Sequence, residues 1–178
     1  MEYHAYCLSR RRNKGKNYDK GALVGVDLLK FKRGPYVLEY VGSGLGSCSI
    51  FQGSFLSPSV LTSLSVTSPE PGYDLMTSDV SPNRTGDKRL DSVRQNELAM
   101  GALEVAGRLG KRGGSVVVKF SRGEGWGEVD RKGKGMFEDW RIVKPDASRM
   151  ESRESFFLGR KMREVKKTIP EDGVYFSV

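Results

Sequence analysis

Residues 73–120 read YDLMTSDVSPNRTGDKRLDSVRQNELAMGALEVAGRLGKRGGSVVVKF, and this stretch decides the fold class. Tyr73 to Asp79 is a short apolar run that ends on an acid, the pattern of a buried strand. Residues 81–89 are loop in composition. From Asp91 to Leu109 the spacing predicts a helix, because Leu98, Ala102, Val105 and Leu109 fall on one apolar face. Asp91 is the expected N-cap. Arg112-Gly113-Gly114 reads as a turn, and residues 115–120, SVVVKF, as a β-branched strand. Strand, helix and strand in this order make a unit of a largely parallel α/β sheet.

The pattern extends in both directions. Downstream, FEDWRIVK (137–144) and ESFFLGR (154–160) read as strands flanking the polar segment PDASRMESR. Residues 123–135, GEGWGEVDRKGKG, carry more glycine than a helix readily tolerates. Upstream, GPYVLEYVG (34–42) reads as a buried strand and runs into VGSGLGSCS. Residues 52–73 are rich in Ser, Pro and Gly, and VLTSLSVTS within them alternates as one strand would. YDKGALVGVDLL (18–29) is read as a short helix. Residues 1–19 form a basic N-terminal arm, and residues 20–178 a single domain.

Composition sets bounds on function. The formal net charge of +8 points to an acidic partner, for which a phosphate backbone is the usual candidate. A soluble protein that is merely basic is the plainer alternative. Cys7 and Cys48 lie in no CxxC pair and have only His4 to join them, which argues against zinc and for a reducing, cytosol-like compartment. No apolar run of membrane-spanning length occurs, and no apolar segment follows Arg10, Arg11 and Arg12 as a secretory signal would require.

In open α/β sheets, ligands bind beyond the carboxyl ends of the strands. Three features fall at such ends: the turn of Gly42, Ser43, Gly44 and Gly46, then Asp79, then Lys119. The glycine turn lets backbone approach a ligand, although such turns also serve as plain loops. Its spacing does not meet the dinucleotide fingerprint, and no clear acid ends a following strand, so a nicotinamide enzyme is disfavoured. Lys119 interrupts an apolar strand and calls for a partner, unless it lies on an edge with its ammonium in water. Asn83 follows Asp79 in a Pro-Asn loop. Ser148, Arg149, Ser152 and Arg153 form a hydroxyl- and arginine-rich run suited to phosphate contact, which precedes Glu154, a candidate partner for Lys119.

Taken together, TSDVSPN, GGSVVVKF and KPDASRMESRE resemble the motifs of the FtsJ-like RNA ribose methyltransferases, in order and type, from Tyr73 to Lys161. Asp79 precedes Lys119 by 40 residues, and Lys119 precedes Glu154 by 35, spacings similar to those of the family. The resemblance implies a Rossmann-like methyltransferase fold with a mostly parallel sheet and helices on both faces. It implies S-adenosylmethionine as cofactor and RNA as substrate, with transfer of a methyl group to a ribose 2′-hydroxyl. It also implies a Lys-Asp-Lys-Glu tetrad filled by Lys20, Asp79, Lys119 and Glu154. In that scheme Lys119 removes the hydroxyl proton, and Lys20 eases this by like-charge repulsion. Glu154 orients the lysines, and Asp79 sits beside the sulfonium. Tyr40, Gly42, Ser43, Gly44, Gly46 and Asp79 would line the cofactor site. Arg10, Arg11, Arg12, Asn83, Ser148, Arg149, Ser152 and Arg153 would meet RNA.

The chain departs from the family pattern in the cofactor half. Tyr40 stands where an acid is usual, and only 24 residues separate Ser49 from Asp74, with Glu70 the sole acid among them. An abbreviated adenosine pocket, or one completed by a protein partner, is therefore expected. The candidate substrates are a capped mRNA 5′ end, slightly favoured by likeness to small viral enzymes acting in host cytoplasm, and a structured RNA such as ribosomal RNA. The alternative function is a non-catalytic RNA-binding or scaffold protein that keeps the fold.

Overall fold

The computed structural model describes residues 5–9, 21–29, 45–146 and 152–164. The elements in chain order are β1 (Ala5–Ser9), β2 (Gly21–Asp27), β3 (Leu45–Gln52), α1 (Pro58–Thr67), β4 (Tyr73–Ser78), α2 (Lys88–Leu109), β5 (Gly110–Ser121), α3 (Trp126–Met136), β6 (Phe137–Val143) and β7 (Glu154–Met162). The strands form one seven-stranded sheet in the order β3-β2-β1-β4-β5-β7-β6. The expected α/β class holds, but the sheet is mixed rather than mostly parallel. β2–β3 and β4–β5 are parallel, whereas β1 runs against both its neighbours and β7 against both of its own.

One face of the sheet is covered along its described side chains. Val24, Val26, Met76, Val116, Val118 and Phe157 lie on it, each at most 7% exposed. The three described helices pack there side by side, α1 over β2 and β3, α2 over β4 and β5, and α3 over β6 and β7. Beneath α3 the rings of Phe120, Phe157, Trp140 and Phe137 follow one another, with centroids 3.8, 4.7 and 5.6 Å apart. Such a layer supplies much of the buried apolar area. The opposite face of β5 and β7 carries Val117, Lys119, Glu154, Phe156 and Leu158, all only partly buried.

The strands at 73–78 and 115–120, the long helix and the last two strands stand where the sequence puts them. Other segments differ, each for a local reason. Residues 58–67 form a helix, not the expected strand. Ser57 caps it by accepting from Val60 N, and Pro58 occupies the first turn. The hydroxyls of Thr62, Ser63 and Thr67 donate to carbonyls four residues back, so the polar positions that mimicked alternation are satisfied within the helix. Val60 and Leu64, four apart, supply the buried face.

Residues 21–27 are a strand rather than a helix. Val24 and Val26 are β-branched, lie two residues apart and are both buried, which is period-two burial. The glycine-rich stretch 126–136 is a helix. Gly133 leaves room for the Trp140 ring, where a Cβ would collide with it. Trp140 Nε1 donates to Asp130 Oδ1 at 3.0 Å, and Lys132 pairs with Glu104 of α2 at 2.9 Å. Asp87, not Asp91, caps α2, with its carboxylate accepting from Arg89 N and Leu90 N. The turn expected at 112–114 is an irregularity inside β5. Its register jumps from Tyr73↔Gly110 to Leu75↔Ser115, and Gly113 has a φ of +77°. The expected strand 34–42 lies outside the described residues.

Candidate active site

The carboxyl-end edge of the sheet gathers Asp27 of β2, Gln52 of β3, Asp79 just after β4, and Lys119 near the end of β5. Because β7 is antiparallel to β5, its first residue, Glu154, arrives at the same edge opposite Ser121. Lys119 Nζ lies 2.9 Å from Asp79 Oδ1 and 2.9 Å from the Asp79 carbonyl oxygen. The lysine side chain is 11% exposed and the aspartate 57% exposed, so the pair is open on the carboxylate side. The isolated-lysine cost inferred from sequence is thus met by a carboxylate and a carbonyl rather than by water.

Buried polar side chains of α2 fix the backbone around this pair. Gln95 Nε2 donates to Val80 O at 2.9 Å and to Lys119 O at 3.3 Å, which ties the ends of β4 and β5 together. Asn96 accepts from Ser121 N at 3.0 Å and donates to Ser121 O at 3.1 Å and Glu124 O at 2.7 Å. Arg122 N then donates to Arg153 O at 2.8 Å and Arg122 Nε to Ser155 Oγ at 3.1 Å, which anchors the start of β7.

Glu154 does not pair with Lys119 as the sequence suggested. Its carboxylate accepts from Arg84 Nη2 at 2.9 Å. Lys119 faces Phe156 across the β5–β7 ladder, and Glu154 is its diagonal neighbour, at a Cα separation of roughly 7–8 Å. The loop carrying Arg84 is held by Asp91, whose carboxylate accepts from Thr85 N, Thr85 Oγ1 and Gly86 N. The Thr85 backbone and hydroxyl bonds hold the Asp91 carboxyl below the usual carboxylate range. Further along, Arg89 grips Glu124, and this hydrogen-bonded partner raises the guanidinium and lowers the carboxyl.

Asn83 is exposed on the same loop. Ser152 Oγ accepts from Glu154 N at 3.2 Å, its carbonyl accepts from Lys144 Nζ at 3.1 Å, and Arg153 is exposed beside it. Gly46 sits inside β3, at the residue skipped where the register shifts between Gly21 and Ala22, and not in a turn beyond a strand. Lys20, Tyr40, Gly42, Ser43, Gly44, Arg10, Arg11, Arg12, Ser148 and Arg149 lie outside the described residues.

Sequence reading missed Asp27. The helical character of residues 18–29 in sequence hides an acid at the end of a neighbouring strand. Asp27 is 6% exposed, its Oδ1 accepts from Leu29 N at 2.8 Å, and its carbonyl accepts from Gly53 N at 2.8 Å. The signal was present: GALVGVD, like YDLMTSD, is an apolar run ending on an acid. In the sheet order, Asp27 and Asp79 belong to strands on either side of β1, so about 10 Å separates their strand axes.

A mixed α/β sheet with acids ending two strands and a lysine–aspartate pair at its carboxyl edge is a Rossmann-like scaffold. The FtsJ-like methyltransferase family model matches residues 4–162, and the chain belongs to that family. It is 33% identical over 144 residues to the ribosomal RNA large subunit methyltransferase E of Pseudomonas fluorescens, covering 81% of this chain and 64% of that protein. With the enzyme of the same name from Legionella pneumophila it shares 32% identity over 140 residues, 79% of this chain and 63% of the relative. The chain therefore spans just under two thirds of the length of these relatives. Among solved structures, a protein from Plasmodium falciparum provisionally described as a ribosomal RNA methyltransferase superposes with a TM-score of 0.62 at 19% identity, covering 78% of this chain and 71% of that one. That likeness supports the fold.

Proposed function

We propose that the protein is an S-adenosylmethionine-dependent RNA 2′-O-ribose methyltransferase acting on ribosomal or similarly structured RNA. The observation that carries this reading is Lys119 Nζ, largely buried yet held at a sheet edge by both the carboxylate and the carbonyl of Asp79. The names of the relatives favour ribosomal RNA over an mRNA cap. The net charge of +8 suits a polyanionic substrate.

The acids at the edge fit the cofactor's chemistry. Asp79, 57% exposed, offers an anion to a sulfonium, and Asp27 offers acceptors to ribose hydroxyls two strands away. When bound, S-adenosylmethionine supplies an activated electrophilic methyl group. Lys119 positions the target 2′-hydroxyl and, as a neutral amine released from Asp79, receives its proton, and general-base help of this kind contributes roughly 10²–10⁴-fold. Glu154 stands diagonal to the lysine with its carboxylate on Arg84, and Gln95 keeps Asp79 and Lys119 in register. Lys20 completes the set in this reading.

No described helix is long and apolar enough to cross a membrane. Calorimetry with S-adenosylmethionine on the wild type and on Asp27→Ala tests the cofactor half. Binding by the wild type that is lost in the variant is expected. RNA binding without any S-adenosylmethionine binding would instead favour a non-catalytic RNA-binding protein.

A further inference from the structure

The Arg84–Glu154 pair links two segments 70 residues apart at the sheet edge that also carries Lys119. The backbones of both partners are pinned. Asp91 clasps residues 85–86, Asp87 caps α2, and on the other side Arg122 N holds Arg153 O while Ser152 Oγ holds Glu154 N. The side chains are free to move, being 75% and 37% exposed, and exposed ion pairs of this kind are weak. The Arg84 guanidinium has five donors and a planar fork that matches phosphate as well as carboxylate. Glu154, held by Arg84, makes no ion pair with its diagonal neighbour Lys119.

We propose that Arg84 is an RNA phosphate-binding residue that masks Glu154 in the free protein: an incoming phosphate takes the guanidinium, and the released Glu154 carboxylate turns to Lys119. The proposal rests on the RNA-methyltransferase reading and deepens it, making the tetrad complete only when substrate is present. Arg84 is then a positioning residue toward Glu154 and a binding residue toward RNA. No covalent step is involved; one anion replaces another on a cation.

A double-mutant cycle tests this by fluorescence anisotropy with labelled ribosomal RNA fragments, on the full chain as wild type, Arg84→Met, Glu154→Gln and the double variant. Arg84→Met is expected to weaken binding about fivefold and to lower the slope of log K against log salt by about one. Glu154→Gln, which frees Arg84, is expected to tighten binding roughly two- to fivefold when Arg84 is present and to change it far less when Arg84 is Met. Equal tightening in both backgrounds would mean a general charge effect and would overturn the mask, as would unchanged binding by Arg84→Met. Absence of RNA binding by folded wild type would overturn the RNA reading itself, and this proposal with it. Circular dichroism on each variant separates a misfolded protein from a binding defect, and Arg84→Lys serves as a milder variant that keeps the charge but not the fork.

Discussion

Replacing Asn96 by leucine should unlatch the end of β5 from α2. Asn96 is 3% exposed and makes three hydrogen bonds, to Ser121 N, Ser121 O and Glu124 O. Leucine is close in size, so little cavity forms and water has no room to stand in. One backbone donor and two carbonyls then lose this partner, and each orphaned buried group costs about 1–3 kcal/mol. Glu124 lies toward solvent and recovers part of its loss. The sum is roughly 3–5 kcal/mol, a large fraction of the ~5–15 kcal/mol that stabilises a typical domain. For a chain of this size it corresponds to a fall in Tm of about 6–20 °C. Urea unfolding followed by circular dichroism measures it, with Asn96→Asp as the comparison that keeps the acceptor for Ser121 N but lacks both donors. A loss below about 1 kcal/mol for Asn96→Leu would refute the view that this side chain holds the strand end, and with it the rigid framing of Lys119.

Other expectations follow from the same contacts. Gly133→Ala gains about 1 kcal/mol of helix propensity but drives a methyl into the Trp140 ring, where overpacking costs about 1–3 kcal/mol, so the net effect is a lower Tm by thermal melting. The lowered Asp91 carboxyl, held by Thr85 and Gly86, contributes stability that is present above its unfolded value near ~3.9 and is lost as pH falls through the lower folded value. The stability gap between wild type and Asp91→Asn, measured by denaturant titration, is therefore expected to be full at pH 6 and to shrink as the pH falls below ~3.9 toward pH 2. A gap constant with pH would contradict the clasp. Asp27→Asn is expected to leave the sheet folded but to weaken S-adenosylmethionine binding at least tenfold by calorimetry, in line with loss of a charged hydrogen-bond acceptor.

The half of the chain from Tyr73 onward was legible because its patterns are local. β-Branched runs, a long amphipathic helix and acids at strand ends each identify an element within a dozen residues. The sequence motifs also foresaw the edge where Asp79, Lys119 and Glu154 meet. What stayed hidden depends on tertiary partners. VLTSLSVTS alternates like a strand, and only the hydroxyl-to-carbonyl bonds of Thr62, Ser63 and Thr67 reveal why it coils. The glycines of α3 look like helix breakers until Trp140 is seen against Gly133. GALVGVDLL holds both helical and extended character, and its pairing with β1 and β3 settles the choice and exposes Asp27. The choice between Lys119 and Arg84 as partner of Glu154 could not be read at all, because Arg84 lies 70 residues away in an exposed loop.

The central claim is that Lys119, at the sheet edge beside Asp79, deprotonates a ribose hydroxyl. Its most direct test is mass spectrometry of nucleosides from ribosomal RNA, prepared from cells lacking the protein and then incubated with S-adenosylmethionine and either wild type or Lys119→Met. The account predicts a new 2′-O-methylnucleoside with the wild type and a rate at least ~10²-fold lower with a folded Lys119→Met. Equal methylation by both proteins, or a methyl group found on a base rather than on ribose, would contradict it.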